Sequence, residues 1–303
     1  MTLTRHILSA TDLSAPSLQA VDRAADLAAT TGARHTVLHA LGLDALGPLR
    51  NLLGERADSV AHTAVEQQQA ALAAALADPA RHPGPPPEPR VEEGLASRVV
   101  PALARETDAD LVVVGARGQS LLRRLVVGST ASHLLRKSRC PVLVVKNPFK
   151  QPYRRVLLPI DFSPASALAL RLARELAPQA DLVLLHAFDV PFEGMLQYAG
   201  VSQDIIHQYR IEARERALQQ LREMAAEQGL AAGQYTPLVE HGDAVALITG
   251  HQQRLGCDLV AMGKHGTHVT EELLLGSVTQ RVLSEGDADV LVVVDKRGPH
   301  DAA

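Results

Sequence analysis

Two stretches of this sequence space their glycines identically and end that spacing on a serine. The first runs Gly115-Ala116-Arg117-Gly118, nine residues, and Gly128-Ser129-Thr130. The second runs Gly263-Lys264-His265-Gly266, nine residues, and Gly276-Ser277-Val278. Glycine permits a positive φ and lets backbone N–H groups approach an anion closely. The shared spacing favours two phosphate-binding loops over the plainer interpretation that the glycines only make turns.

Each loop starts at the end of a short apolar run and finishes where a helical pattern begins. A helix that opens at Gly128 or Gly276 directs its first amides and its dipole at a phosphate, and the following serine adds a donor or a metal contact. Neither loop closes on Gly-Lys-Ser/Thr and no GxGxxG follows the first strand, which excludes a P-loop and a dinucleotide-binding fold. The basic loop residues either neutralise phosphate charge or are ordinary exposed residues: Arg117, Arg123, Arg124 and Lys264.

An aspartate closes the first apolar run of each copy, Asp12 in one and Asp161 in the other. A carboxylate at that point can accept a hydrogen bond from a ribose hydroxyl or an adenine amine. Aspartate also suits a turn or a helix N-cap, although Ser14 and Ser163 are predicted to cap the helices that follow. Beside a phosphate loop the ligand interpretation is favoured, so the predicted ligand is a nucleotide.

The chain repeats itself at a nearly constant distance. Equivalent landmarks lie 147 to 149 residues apart: Asp12 and Asp161, His39 and His186, Gly115 and Gly263, Gly128 and Gly276, Val142 and Val290. Such agreement indicates a tandem duplication. The predicted domains are residues 1–147 and residues 153–297.

Apolar runs of Val and Leu alternate with helical patterns in each copy, including long helices predicted over 52–78 and 203–229. This alternation predicts an α/β protein with two tandem doubly wound open sheets, five parallel strands in each and helices on both faces. Ligands bind such sheets at the carboxyl ends of the strands, where the aspartates and glycine loops lie. The proline-rich segment His82–Pro89 is predicted to be a loop insertion within the first copy.

Composition excludes several function classes. The net charge of -4 and the 3% of aromatic residues do not suit a protein that binds nucleic acid. Two cysteines cannot build a disulfide framework, and no stretch matches a signal peptide or a membrane span. These features predict a soluble, cytoplasmic protein without a membrane or nucleic-acid partner.

Metal binding and catalysis have weaker support in the sequence. Among 13 histidines, His265 and His268 lie close together, but no Cys/His cluster has zinc-like spacing. His39 and His186 lie in apolar strands and are interpreted as core or site-edge residues. No nucleophile with a recognisable base and no carboxylate pair on one helix face stands out, so no catalytic residue is assigned.

The sequence resembles the ATP-binding branch of the universal stress protein family along nearly all of both copies. The resemblance rests on G-x2-G-x9-G-(S/T), on the early aspartate, on the Leu-His-Ala that ends at Ala40 or Ala187, and on the closing run Cys140–Val145. It implies a strand order of 3-2-1-4-5 in each copy. It also implies pairing through the last strand, as an internal pseudo-dimer of the two copies or as a homodimer.

The resemblance further implies which residues hold ATP, ADP or AMP. The aspartate and the backbone of the strand-two alanine would bind adenine, and the glycine loop would bind the phosphates. Any Mg²⁺ would be bound together with the phosphates, because the protein alone supplies no set of metal ligands. The implied site of the first copy comprises Asp12, Ala40, Val114, Gly115, Gly118, Gly128, Ser129 and Thr130. The implied site of the second copy comprises Asp161, Ala187, Met262, Gly263, Gly266, Gly276, Ser277 and Val278.

The predicted function is therefore an ATP-binding regulatory module of the stress response that acts on an unidentified protein partner. The alternative is a slow ATP hydrolase or an adenylating enzyme on the same fold. Enzymes of the adenylating kind carry a Ser-Gly-Gly phosphate loop after strand one, where this chain reads Ala10–Ser14 or Ile160–Ser163. The regulatory interpretation is favoured. Two departures bear on relative affinity: Ala replaces the usual Val after the strand-two histidine, and the first copy lacks a proline two residues before Asp12.

Overall fold

The computed structural model describes residues 2–42, 56–79, 81–82, 84–116, 128–190, 195, 198–199, 201–266 and 275–294. The chain divides into two compact units, of which the first ends at Pro152 and the second begins at Tyr153. They are called unit 1 and unit 2. No helix in the described ranges is both long enough and apolar enough to cross a bilayer.

Unit 1 alternates strands and helices. Its elements are β1 (His6–Thr11), α1 (Ala15–Thr31), β2 (Arg34–Leu41), α2 (Arg56–Leu76), β3 (Glu88–Glu93), α3 (Ala96–Glu106), β4 (Leu111–Gly115), α4 (Ser129–Lys137) and β5 (Val142–Val145). Unit 2 repeats that order. Its elements are β6 (Arg155–Pro159), α5 (Pro164–Leu176), β7 (Asp181–Phe188), α6 (Gln203–Glu227), β8 (Tyr235–His241), α7 (Ala244–Leu255), β9 (Leu259–Gly263), α8 (Ser277–Glu285) and β10 (Asp289–Val293).

The strands of each unit pair in parallel in the predicted order. Unit 1 reads β3-β2-β1-β4-β5, and unit 2 reads β8-β7-β6-β9-β10. Strands are added on one side of the first strand and then on the other, so right-handed crossovers place helices on both faces. This confirms the α/β doubly wound fold. The switch in direction lies between β1 and β4, and between β6 and β9.

Helix starts follow local capping chemistry. Ser14 and Ser163 cap α1 and α5, because their side chains accept from the backbone N–H of Ser17 and Ser166. Proline lies in the first turn of both helices, where the missing N–H costs nothing. The predicted caps are confirmed, and they fix where each helix starts relative to the end of its preceding strand.

Apolar side chains without tryptophan build the core. Val21 of α1, Val37 of β2 and Leu72 of α2 form one fully buried cluster, with Leu13 and Val91 packed against it. Burying such aliphatic side chains stabilises the fold by about 1.5–3 kcal/mol each. This cluster holds the first turn after β1 against the helical layer.

The proline-rich insertion of unit 1 packs on α1. Arg81 Nη2 lies 2.7 Å from Asp22 Oδ2. Gly84 has a φ of +99°, and a Cβ placed there would lie 2.9 Å from Ala29 Cβ, so only glycine fits this contact. The insertion therefore covers part of α1 and brings His82, which is 6% exposed, into the interior.

Unit 1 also buries a histidine between strand and helix. The His35 ring is 3% exposed, and its Nε2 lies 2.8 Å from Ser9 Oγ. Burial, together with the nearby rings of His82 and His6, lowers the pKa of His35 to about 3. By the strand register, unit 2 has Leu182 and Leu158 at the positions of His35 and Ser9.

Candidate functional site

The aspartate after β6 forms a tight turn with the start of α5. Asp161 Oδ1 accepts a hydrogen bond from Ser163 N at 3.1 Å and from Ser163 Oγ at 2.6 Å. It also accepts a short bond from Ser166 Oγ. Serine is therefore the helix cap, and the aspartate is a turn residue whose Oδ1 is anchored by three donors.

The second carboxylate oxygen faces the glycine loop. A Cβ placed on Gly266 would lie 3.1 Å from Asp161 Oδ2, so the backbone of Gly266 passes close to that oxygen. The aspartate is half-buried. The structure thus brings together two of the predicted site residues from opposite sides of the switch point.

Unit 1 builds the same turn around Asp12. Its Oδ1 accepts from Ser14 N at 3.1 Å, and it makes a short bond with Ser14 Oγ. The hydroxyl of Ser17 instead lies 2.8 Å from Thr11 Oγ1 and 3.0 Å from the Ser14 carbonyl oxygen. The two turns therefore share their shape, and in both the aspartate N–H donates to the second serine hydroxyl at 3.2 Å, but they differ in the acceptor of that hydroxyl.

Both turns contain a bulky residue in the left-handed region. Leu13 and Phe162 each have a φ of 62°. An L-residue with a side chain pays roughly 1–2 kcal/mol for that conformation. Such strain is often found at functional sites, where surrounding contacts hold it in place.

Backbone groups of the strand-two alanines point into the same region. The Leu185 carbonyl accepts from Ile160 N at 2.8 Å, so the Leu185 backbone faces β6. Residues two apart on a strand direct their backbone groups to the same side, so Ala187 also faces β6, just beyond the end of that strand. Both Ala187 and Ala40 are half-buried. In unit 1 the Leu41 carbonyl accepts from Gly94 N beyond β3, which leaves Ala40 facing β1 in the same way.

The strand-two histidines support the turns. His39 Nδ1 lies 2.9 Å from the Thr11 carbonyl oxygen, and His186 Nδ1 lies 2.7 Å from the Ile160 carbonyl oxygen. The ring of Phe162 lies 4.5 Å from the ring of His186. Each histidine thus holds the last residue before its aspartate, which agrees with the interpretation as site-edge residues.

The loop glycines in unit 2 are needed for close approach. A Cβ on Gly263 would lie 2.9 Å from Ala165 Cβ, and a Cβ on Gly276 would lie 3.1 Å from the Lys264 carbonyl oxygen. Neither they nor Gly266 lies in the left-handed region. Of the two properties for which glycine was singled out, these three positions use the second, because they give space between the strand end, α5 and the loop and do not use a positive φ.

Both loops return to the start of the last helix by the same hydrogen bonds. Gly276 N donates to the Lys264 carbonyl at 3.0 Å, and Gly128 N donates to the Ala116 carbonyl at 2.8 Å. Gly128 and Gly276 are the N-caps, so the predicted residues Ser129, Thr130, Ser277 and Val278 form the first turns of α4 and α8. The first amides of a helix have no carbonyl partner within it and attract an anion.

The remaining predicted residues lie at the strand ends or outside the described residues. Val114 and Met262 are 3% and 5% exposed, one residue before Gly115 and Gly263, which end β4 and β9. Residues outside the described ranges are Gly118, Arg117, Arg123, Arg124 and His268.

Lys264 is 3% exposed, so the interpretation of this lysine as an ordinary exposed loop residue is wrong.

The described residues hold no metal centre of their own. No group of three or more His, Cys, Asp or Glu side chains within them is placed to bind a metal ion. Cys140 and Cys257 are buried and form no disulfide. Burial raises the pKa of the Cys257 thiol to about 11, which makes it a poor nucleophile at neutral pH.

Sequence reasoning missed three polar residues that shape the site. They are Ser17, Ser166 and Thr279, of which Thr279 donates through Oγ1 to the Gly263 carbonyl at 3.0 Å. A hydroxyl three residues after each predicted cap was the available signal for the two serines. Thr279 had none, because Ala131 stands at its place in the first copy.

The sequence profile of the Universal stress protein family matches residues 4–146 and again residues 152–294. A universal stress protein of Mycolicibacterium smegmatis is 30% identical over 297 residues, which cover 95% of this chain and 96% of that protein. One of Mycobacterium tuberculosis is 31% identical over 222 residues, covering 70% of this chain and 66% of that relative's length.

A solved structure that covers nearly the whole chain has the same fold. A universal stress protein of Archaeoglobus fulgidus superposes with a TM-score of 0.64 at 19% identity, covering 95% of this chain and 98% of that one. A universal stress protein solved in complex with cAMP is 27% identical to this chain. The match covers 47% of this chain and 97% of that one, with a TM-score of 0.38. At that TM-score the likeness says nothing about a ligand of this chain.

Proposed function

Because this chain belongs to the universal stress protein family and carries two copies of the family domain, we propose that each unit binds one adenine nucleotide at the carboxyl ends of its strands. ATP is the proposed ligand, with ADP or AMP as alternative ligands of the same site. Any Mg²⁺ would be held jointly with the phosphates. The single observation that carries the proposal is the approach of Gly266 to Asp161 Oδ2.

The proposal follows from the chemistry that meets at this point. A carboxylate oxygen accepts hydrogen bonds from ribose hydroxyls or from the adenine amine, and the neighbouring Ala187 backbone offers further polar groups to the base. The amides at the start of α8 favour the negative charge of the phosphates. The Ala187 backbone, the Asp161 carboxylate and the first amides of α8 thus match the base, the sugar and the phosphates of a nucleotide.

Binding is proposed in preference to catalysis. Hydrolysis of ATP needs a positioned water and a group that stabilises the charge on the transferred phosphoryl. The polar side chains described at the turn are occupied in anchoring it: Ser163 and Ser166 hold Asp161, and His186 holds Ile160. The proposed role is therefore regulatory, with nucleotide occupancy reported to a protein partner.

The test is to denature the purified chain and to identify any released nucleotide by mass spectrometry and stoichiometry. Calorimetric titration of nucleotide-free protein with ATP then gives the number of sites, and two per chain is the expected result. A chain that releases no nucleotide and gives no heat with ATP, ADP or AMP would overturn the proposal. Incubation with labelled ATP separates a binder from a hydrolase.

A further inference from the structure

The proline-rich insertion of unit 1 docks on α1 in a way that leaves buried polar atoms without partners. His82 is 6% exposed, and neither of its ring nitrogens has a hydrogen-bond partner in the part of unit 1 that the structure describes. Asp22 Oδ1, 3.9 Å from His82 Nε2, is also shielded from water and accepts no hydrogen bond from the described residues. Such atoms lose their bonds to water without replacement. Burial of this histidine therefore opposes the docking of the insertion.

Two contacts favour docking. Arg81 Nη2 lies 2.7 Å from Asp22 Oδ2, but the arginine side chain is 43% exposed, so water screens this ion pair and it contributes little. The backbone of Gly84 passes close to α1, where a Cβ on this glycine would lie 2.9 Å from Ala29 Cβ. A weak ion pair and a close backbone contact thus hold the insertion against the unfavourable burial of an imidazole.

A proton on the His82 ring would weaken the docking further. The titratable and charged groups that face this ring are Asp22 on α1, Arg81 and Asp78 beside it in the chain, and His35 on β2, with His6 of β1 acting on His35. Burial lowers the pKa of His82, Asp22 opposes the shift, and Arg81, which is already paired with Asp22, adds to it. The carboxylates therefore do not compensate for the loss of water around a charged ring.

Undocking lets the His82 ring bind a proton at the ordinary histidine pKa near 6.5. The pKa of the docked ring is lower, so the docked state has its full stability above pH 6.5 and loses it as the pH falls below that value. Each further pH unit raises the equilibrium constant for undocking by up to about tenfold, until the docked ring itself is protonated.

Unit 1 can lose this contact and keep its core. The insertion lies between Leu76, the end of α2, and Glu88, where β3 begins to pair with β2. The buried cluster of Val21, Val37 and Leu72 is built without the insertion. Undocking therefore moves a short segment between two fixed ends.

We propose that the insertion is an acid-released latch, in which Arg81, His82 and Gly84 leave α1 as the pH falls from about 7 to about 5 while the sheet of unit 1 stays folded. The proposal does not depend on nucleotide binding. Unit 2 has no counterpart in its sequence, because residues 228–234, between α6 and β8, read Gln-Gly-Leu-Ala-Ala-Gly-Gln and contain no titratable side chain. The latch thus makes one of the two units respond to acid.

Trypsin cleavage after Arg81 in the full chain measures the undocked population, because cleavage of an opened segment tracks its opening equilibrium when closing is fast. Mass spectrometry gives the rate of this cut, and a free peptide of residues 77–88 at the same pH corrects for the activity of the protease. The corrected rate is expected to rise about tenfold from pH 7 to pH 5, with unchanged circular dichroism of the chain. An unchanged rate, or a loss of helical signal that parallels the cleavage, overturns the proposal.

Two variants remove the titrating ring. His82→Gln keeps a polar side chain and His82→Leu replaces it with an apolar one, and in both the corrected rate is expected to stay within about twofold between the two pH values. His62→Gln is the matched control, because the side chain of His62 on α2 is 76% exposed, and it should keep the full rise. A rise that persists in either folded His82 variant, or that is lost in His62→Gln, contradicts the proposal, so one folded His82 variant is enough.

Discussion

Unit 1 and unit 2 share a strand order and a pair of loops, yet they fill the space beneath their first two strands differently. Unit 1 buries His35 against Ser9 and adds His82 from the proline-rich insertion, whereas unit 2 fills the corresponding strand positions with Leu182 and Leu158. The turns above them stay nearly the same. The two units thus share the polar groups at their strand ends, but the strand positions beneath these groups are polar in unit 1 and apolar in unit 2.

This difference gives the two units different responses to acid. His35 is neutral in the fold because burial lowers its pKa to about 3, while an unfolded histidine titrates near 6.5. Below pH 6.5 the unfolded state binds a proton that the folded state does not, so unit 1 loses about 1.4 kcal/mol of stability per pH unit. The loss continues to about pH 3 and reaches about 3 kcal/mol at pH 4.

His82 adds to this loss, because burial lowers its pKa while Asp22 opposes the shift. Urea unfolding at pH 7 and pH 4 measures it: all four tyrosines follow Pro152, so tyrosine fluorescence reports unit 2 and circular dichroism reports both units. The double variant Ser9→Ala/His35→Leu should remove most of the extra acid sensitivity. Equal acid sensitivity of the two wild-type units would refute this difference.

Replacing Asp161 by Asn tests whether the turn serves a ligand. The amide keeps the shape of the side chain but lacks its charge. A hydrogen bond from the ligand to the charged carboxylate contributes about 2 kcal/mol to binding, so the ATP affinity of unit 2 should fall roughly 30-fold. Calorimetry in the Asp12→Asn background measures it. Glu223→Gln removes the same charge from an exposed position on α6 and should leave affinity unchanged. An unaltered affinity in the Asp161 variant would assign the aspartate to the turn alone.

Substitutions at Thr279 and Ala131 test whether the side-chain hydrogen bond to the end of β9 stabilises unit 2. Thr279→Ala removes the hydrogen bond to the Gly263 carbonyl and leaves a buried acceptor with less support, so unit 2 should lose about 1 kcal/mol of unfolding free energy. Tyrosine fluorescence in urea measures the loss. Ala131→Thr, the reciprocal change in unit 1, should leave that fluorescence transition where it is. A destabilisation well below 0.5 kcal/mol would mean that the bond contributes little.

The smallest effect is expected from Gly266→Ala. The added Cβ would lie 3.1 Å from Asp161 Oδ2 and displace the carboxylate by a few tenths of an ångström, which should weaken ATP binding roughly threefold. Gly250→Ala on α7 is the control, because its Cβ would meet nothing within 4 Å. Unchanged or tighter binding in Gly266→Ala would show that the loop and the carboxylate do not act on one ligand.

The sequence predicted the parts of the fold that depend on local chemistry. The caps at Ser14 and Ser163 could be read because serine before a helical pattern has a local physical reason. The long helices, predicted over 52–78 and 203–229, are described over Arg56–Leu76 and Gln203–Glu227. The strand order came from the resemblance to the family, since no single element encodes its neighbours.

What the sequence could not predict depends on contacts between distant residues. The Ser17 hydroxyl lies against Thr11 Oγ1, and the lowered pKa of His35 depends in part on His82 in the loop that follows α2. Leu13 and Phe162 adopt a positive φ, which residue preferences would not select, whereas Gly263, Gly266 and Gly276 do not. Tertiary packing outweighs local preference at these positions.

The left-handed turns at Leu13 and Phe162 also bear on how such a duplicated chain diverges. Glycine at either position would relieve the backbone, but it would delete the packing of Leu13 on the Val21–Val37–Leu72 cluster or of Phe162 on His186. Substitutions are therefore tolerated mainly among large apolar residues, as the pair Leu and Phe already shows. A duplicated chain of this kind is therefore expected to keep a large apolar residue at this one step after the first strand, even where the interior below it differs between the copies.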